Sequence, residues 1–429
     1  MLSLQHSVTS KERNIELLLL SGGVAFLLLA WRALEAAEFT MPDGSARIVT
    51  QFMVIALSGH IGLRIVAPGS AAQPFAIALL LTAIGLAFAT RLVPELAQDQ
   101  ANWATLGIVA MVGTAAASRQ YPRLRAYKYT AAAMAILLLV VTGLIGTTIN
   151  GARLWITVGG REIQTTEIIK VFIVIFLAGY LADSANVLAS SRLRFGGRSY
   201  SGLPYILPLV LTLLIAIMAL ALLKDLGSVA LLILLSVAML AMATGRLRFL
   251  AGGIVLLALT AAGGYVAFDH AQVRIDTWRD PYADAGGAGY QTVQSIYALE
   301  AGGVTGEGLG LGRPDVIPAV ATDYVFAAIG EELGFAGAFG VVLLYTLLVA
   351  AGLKVAIGVR DDYGRLLACC VALLIGIQAA VIIAGNLRLI PTTGITLPFV
   401  SYGGSSLVVN FALLGLLLGV SHQSRANQR

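Results

Sequence analysis

Several ionisable groups fall where this chain can least easily hold them. Arg153 lies in the stretch GARLWITVGGREIQ, Glu167 and Lys170 open one apolar run, and Lys224 and Asp225 separate two others. Asp323 opens a further run and Arg388 follows the next. Charges within or beside membrane-spanning helices are costly, so they face a cavity or one another. Carboxylates can take up protons, and cations can steady a developing anion. Glu167 and Lys170, three residues apart, share one helix face. Each group also has a plainer reading. Asp225, and Asp323 behind Thr322, can cap a helix; Glu167 with Lys170 can be a structural ion pair. Convergence on one membrane level favours a site, because independent caps do not require it.

The elements that must carry these groups are apolar runs. Of the 429 residues, 58% are hydrophobic and only 12% charged, and the mean hydropathy is +0.86. Soluble domains are nearer half apolar and a quarter charged. The composition therefore predicts an all-α polytopic membrane protein of about twelve spans. They are 15–34, 47–66, 74–93, 103–118, 128–149, 167–190, 204–223, 226–245, 248–268, 324–353, 363–385 and 404–421. Lys11 and Arg13 precede a full-length span without a small-residue cleavage site, so no cleaved signal peptide is expected.

Lysine and arginine bias sets the orientation. With the N-terminus inside, the short inner segments collect Lys11, Arg13, Arg64, Arg119, Arg123, Arg125, Lys128, Arg192, Arg194, Arg198, Arg246, Arg248, Lys354, Arg360, Arg365, Arg425 and Arg429. These are most of the 28 basic residues. The C-terminus is then inside as well, and the ionisable groups described above are outside.

The one long polar stretch, 269–323, falls outside in this orientation. It holds Trp278, Tyr282, Tyr290, Ile296 and Tyr297, which can pack, and glycines where turns are needed. Order is expected of it. Gly306, Gly308, Gly310 and Gly312 lack the strand and helix of a phosphate-binding loop. Asp276, Asp280 and Asp284 read as turn residues before a metal set. Gly330 and Gly334 read as a helix-packing GxxxG. His60 and Arg64 read as snorkelling side chains. Cys369 and Cys370 read as small hydrophobes, and nothing suggests nucleic acid.

Three groups of motifs together resemble one family. NGARLWI at 150–156 with QTTEIIK at 164–170 is the first, and KDLGS at 224–228 the second. The third joins DPYADAGGAGYQTVQS, the glycine-rich run and TDYVFAAIGEELGFAG to LIPTTGITLPFVSYGGSS at 389–406. The chain is thereby similar to the shape, elongation, division and sporulation family, which includes RodA, FtsW and SpoVE. The resemblance covers about 128–421. It departs at Thr165–Thr166, where the family has Pro-Ser, at Ala321, where it has His, and at Lys224, where it has Gln.

The resemblance implies ten core spans plus two extra N-terminal ones, with an N-terminal transmembrane region at 1–127 that supplies the extra spans, a catalytic transmembrane core at 128–421 and a cytoplasmic tail at 422–429. It implies a bacterial cytoplasmic-membrane glycosyltransferase that polymerises lipid II into glycan at the outer face. Asp323 would act as general base, undecaprenyl diphosphate would leave, and the anomeric centre would invert. Lys170, Arg153 and Arg388 are its candidate diphosphate partners, with Glu167 and Asp225 orienting them. Trp155 would stack on a sugar or anchor at the interface. Ser401, Tyr402, Gly403 and Gly404 would shape the groove. No cofactor is required, although a divalent cation is left open. The implied partner is a class B penicillin-binding protein, and the implied role is elongation before division. A lipid-precursor flippase is the rival reading, and a scaffold without activity the third.

Overall fold

The computed structural model describes residues 2–41, 45–149, 151–190 and 203–426. Asn150, Arg192, Arg194, Arg198 and Arg429 of the sequence analysis lie outside them. In hydrocarbon, backbone polar groups must be satisfied within the protein, and a helix does this within one segment. The helices are α1 (Leu2–Ala36), α2 (Ser45–Val66), α3 (Gln73–Leu92), α4 (Pro94–Ala117), a short α5 (Tyr121–Leu124), α6 (Lys128–Ile145), α7 (Thr165–Ser190) and α8 (Leu203–Leu222). There follow α9 (Leu226–Thr244), α10 (Arg248–Ala267), α11 (Asp269–Arg279), α12 (Tyr290–Gly302), α13 (Val325–Gly358), α14 (Asp362–Asn386) and α15 (Gly404–Ala426).

Among the described residues, ten helical stretches are long and apolar enough to cross a membrane. The expectation of about twelve differs in two places. Pro94–Ile145 counts as one stretch of 52 residues, although tight turns at Ser118–Tyr127 divide it. Within α8 the apolar part, Leu207–Leu222, is shorter than a full span. Helices α3, α14 and α15 are buried along most of their apolar length and form the centre, while α10 is exposed along nearly all of its own.

The chain is not wholly α. Strands β1 (Thr147–Ile149), β2 (Ala152–Val158) and β3 (Arg161–Gln164) form an antiparallel sheet in that order. Gly159 and Gly160 both take positive φ, 59° and 77°. That is the geometry two-residue hairpins prefer, and a Gly-Gly pair adopts it without strain.

The 269–323 segment is ordered by α11, α12 and tight turns. Its glycine-rich part lies along α13, which breaks at Gly334 (φ 64°, ψ −170°). The break frees backbone groups that the loop then satisfies. Glu307 and Gly308 donate to the carbonyls of Glu331 and Glu332, at 3.0 Å each, and Phe335 donates to Gly303 at 2.9 Å. A Cβ at Gly334 would lie 2.3 Å from the Gly306 nitrogen. Gly334 therefore admits a loop, which corrects the helix-packing expectation. Arg91, at the end of α3, fixes the same region through Glu332 (2.9 Å) and the Gly312 carbonyl (2.9 Å).

A second irregular segment, 391–403, enters the bundle. Its depth is marked by Gly85 in α3, where a Cβ would meet the Val400 and Phe399 carbonyls at 2.6 and 2.8 Å. Non-helical backbone at such depth must be enclosed by protein. Here Gln378 of α14 donates to the Thr396 carbonyl (2.8 Å), Tyr345 of α13 to Pro398, and Gln100 of α4 to Ser401 (3.1 Å). At the opposite end, His60 is buried, with Nδ1 2.8 Å from Glu16 Oε1. Arg13 is buried against Glu16, Ser70 and the Ala67 carbonyl. His60 thus ties α1 to α2, because burial without a partner would leave its ring nitrogens unsatisfied; it does not snorkel.

Candidate functional site

Asp323 stands on a turn that two other elements hold, the 391–403 segment and the end of α14. Its amide and that of Thr322 both donate to the Ala319 carbonyl, at 2.9 and 3.2 Å. Helix α13 begins after Tyr324 without a side-chain cap, so Asp323 does not cap it. Ser401 Oγ donates to the Thr322 carbonyl at 2.5 Å, and the Tyr402 amide donates to Ala321 at 2.8 Å. Asn386, the last residue of α14, donates to the Asp323 carbonyl at 2.8 Å. With its main chain fixed this way, Asp323 presents a half-buried carboxylate. Burial pushes that carboxyl above its ordinary range, and Thr322 and Arg274 pull the other way.

Glu167, Lys170 and Asp225 form a second group, connected to Asp323 through Arg274, which lies within electrostatic reach of both aspartates. Lys170 donates to Glu167 Oε1 (2.8 Å) and to Gln378 Oε1 (2.9 Å). Asp225 caps α9 by accepting from the Ser228 amide at 2.9 Å. Its second oxygen is buried without a hydrogen-bond partner. Lys170 and Arg274 both lie within electrostatic reach of it. The cap reading of Asp225 is correct, yet it describes only half of the carboxylate.

Lys224 and Arg388 end helices α8 and α14 in the left-handed region, with φ of 65° and 55°. Behind each, the following amide reaches back to the last turn, Asp225 to Leu220 at 2.9 Å and Leu389 to Ala384 at 2.8 Å. Glycine is usual at such ends. Arg388 uses its guanidinium on helix α11, donating to the carbonyls of Trp278 (3.0 Å) and Arg279 (2.7 Å). Trp278 Nε1 returns a bond to the Arg388 carbonyl at 3.0 Å.

The remaining candidates are more dispersed. Arg153 is exposed on β2, and its guanidinium donates to the Gly143 carbonyl at the end of α6 (3.1 Å). Trp155, half-buried on the same strand, pairs with Thr147 and Gln164. Gly403 donates to Gln100 Oε1 at 3.3 Å. The close approach occurs one residue later: a Cβ at Gly404 would lie 2.3 Å from the Trp103 ring.

Sequence reasoning missed Arg274, Asn386 and Gln378. Arg274 of α11 donates to the Thr392 carbonyl at 3.0 Å and lies within electrostatic reach of Asp225, His270, Asp323 and Tyr324. Its only sequence signal was a charge in a polar loop. Asp280 and Asp284 accept from the amides of Tyr282 (3.1 Å) and Ala288 (2.8 Å), as turn residues do. Among the described residues no group of three His, Cys, Asp or Glu is placed to hold a metal. The arrangement offers a carboxylate able to accept a proton and cations partly withdrawn from solvent, which can steady a developing anion.

Comparison with known proteins gives one consistent result. The family model FTSW_RODA_SPOVE, described as cell cycle protein, matches residues 73–426. Peptidoglycan glycosyltransferase RodA of Mycobacterium tuberculosis is 33% identical over 427 residues, covering 96% of this chain and 91% of that protein. Stage V sporulation protein E of Bacillus subtilis is 35% identical over 296 residues, 68% of this chain and 77% of that one. Among solved structures, a chain of a peptidoglycan synthase complex that coordinates polymerization and crosslinking superposes with a TM-score of 0.68. It is 27% identical and the match covers 83% of this chain and 98% of that one. The rod shape determining protein RodA of Thermus thermophilus gives 0.60 at 26% identity, with 83% and 97% covered.

Proposed function

The chain belongs to the FTSW_RODA_SPOVE family of cell cycle proteins, and from that premise we propose that it is a peptidoglycan glycosyltransferase that polymerises lipid II. It is a multi-pass protein of the bacterial cytoplasmic membrane. In this reading the chain crosses twelve times, α4, α6 and α8 each making one pass. Both termini are cytoplasmic, and Asp323 faces outward.

Asp323 takes the proton from the 4-hydroxyl of one lipid-linked sugar as that oxygen attacks the anomeric carbon of another. The bond to the diphosphate breaks, its electron pair leaves with undecaprenyl diphosphate, and the anomeric centre inverts. Lys170 and its partner Glu167, with Asp225, set the local field. Ser401, Tyr402 and Gly403 hold the floor, while Arg153 and Trp155 form an outer wall. The observation that carries this reading is the Asp323 carboxylate. It is half-buried, capped to nothing, and fixed through its backbone by Ala319 and Asn386. A class B penicillin-binding protein is the proposed partner, and cell elongation the proposed setting.

Purified protein with lipid II in detergent tests the proposal. Wild type should give glycan polymer and Asp323→Asn none, at equal expression and melting temperature. Polymer from Asp323→Asn would remove the base. Lipid movement across vesicles by a wild type that makes no polymer would replace the enzyme with a flippase.

A further inference from the structure

Arg274 is half-buried, and among the described residues it forms no ion pair. One guanidinium N–H is committed to the Thr392 carbonyl. A Cβ built at Gly394 would lie 3.2 Å from Arg274 Nη2, 3.4 Å from Nη1 and 3.7 Å from Asp323 Oδ2. A space the size of a methyl group therefore adjoins guanidinium and carboxylate together, and Gly394, at φ 68°, keeps it open.

Below Arg274 runs a groove of about 230 Å³ between α9, α10 and residues 390–393. Val229, Leu234, Leu257 and Ile390 line it, and Arg274 is its only charged wall. A second groove of about 490 Å³ continues from it along α9, α10 and α14, sharing Leu234, Val381 and Ile390. A guanidinium at the head of an apolar channel is costly unless an anion meets it. The complementary ligand has an anionic head and a long apolar tail. Arg suits a phosphate head, because its planar fork can bind two oxygens at once.

We propose that Arg274 binds the diphosphate of a lipid-linked sugar, with the first isoprene units of its tail in the groove below. This rests on the transferase reading and adds the residue that seats the leaving group. As the anomeric carbon–oxygen bond breaks, the electron pair moves onto the diphosphate and the guanidinium offsets the new charge. The proton of the attacking hydroxyl goes to Asp323, across the space that Gly394 keeps open.

Farnesyl diphosphate is the probe, with inorganic diphosphate and farnesol as controls, and equilibrium binding of the radiolabelled ligands to the purified protein is the readout. Asp323→Asn, which removes a negative charge beside the diphosphate, should bind farnesyl diphosphate at least as tightly as wild type. Arg274→Gln should weaken it at least 10-fold, and Arg274→Lys less. Leu257→Trp, which fills the groove from its α10 wall and leaves Arg274 in place, should lose farnesyl diphosphate and keep inorganic diphosphate. Full-strength binding by Arg274→Gln overturns the proposal, as does farnesol competing equally with farnesyl diphosphate. If Arg274→Gln does not fold, the contrast between the two diphosphates in Leu257→Trp decides alone; equal losses count against the site. A wild type that binds the probe through Arg274 but makes no polymer would sink the transferase reading and leave this site standing.

Discussion

Asn386 ties Asp323 to Ala327. Its Nδ2 donates to the Asp323 carbonyl at 2.8 Å, and its Oδ1 accepts from the Ala327 amide at 3.2 Å. One side chain at the end of α14 thus joins the turn before α13 to the first turn of α13. Asn386→Ala leaves the Asp323 carbonyl without a partner, while the Ala327 amide keeps its bond to the Tyr324 carbonyl at 2.9 Å. The loss costs about 1–3 kcal/mol. We expect a lower melting temperature and a drop in polymerisation of at least 10-fold. A fall in melting temperature with unchanged rate per folded molecule would separate Asn386 from catalysis.

The Lys170–Glu167 pair gives a second prediction. Both side chains are largely withdrawn from solvent, at 11% and 4% exposure. Removing one partner of a buried pair costs about 3–5 kcal/mol, because the other charge is left uncompensated. Lys170→Met should therefore lose stability and activity. Lys170→Met with Glu167→Gln should recover stability and stay inactive. Lys354→Met, at the opposite end of the bundle, should retain activity. Equal losses in the Lys170 and Lys354 variants, measured by polymer yield, would count against a site at the α7 end.

As the proposed general base, Asp323 should set the pH dependence. Burial raises its pKa, so the folded protein holds the proton more tightly than the unfolded chain does. Its contribution to stability is full below the ordinary carboxylate value and is lost as pH rises through the raised one. The rate moves the other way, because a general base must be ionised. Polymerisation should climb across the same window in which that share of stability is lost. Asp323→Asn should flatten that part of the melting profile. An acid limb at the ordinary carboxylate value, about 3.9, would show that another group governs the rate.

Gly334→Ala should be among the most damaging single-methyl changes in the chain. It combines a left-handed φ with contacts of 2.3–2.6 Å to the backbone of Val304, Thr305 and Gly306. A loss of more than about 4 kcal/mol is expected. Gly340→Ala, six residues on and facing open space, should be neutral. The two melting temperatures check this, and matched values would mean that the loop can shift at little cost.

Much of the fold was legible because hydrocarbon permits so few backbone solutions. The apolar runs located the long helices, and the cap that was the plainer of two readings for Asp225 is present. The hairpin was not read, although Gly159–Gly160 carried its signal. Gly334 was read as packing because a GxxxG spacing does not record the sign of φ. Within the site, Glu167, Lys170, Asp225 and Asp323 stood out as charges at span ends. Arg274 did not, because a cation in a polar loop looks solvated until the loop folds back. Arg388 was noticed for its charge, but its guanidinium caps α11, a use visible only once the two helices are in contact.

The 391–403 segment is suspended from three helices at once, by Gln378, Tyr345 and Gln100. Any change in the spacing of α4, α13 and α14 is therefore transmitted to the floor beneath Asp323. Bilayer thickness, lateral pressure and the choice of detergent become variables of the reaction itself. Rates measured in micelles and in membranes should differ even where the substrate is equally available.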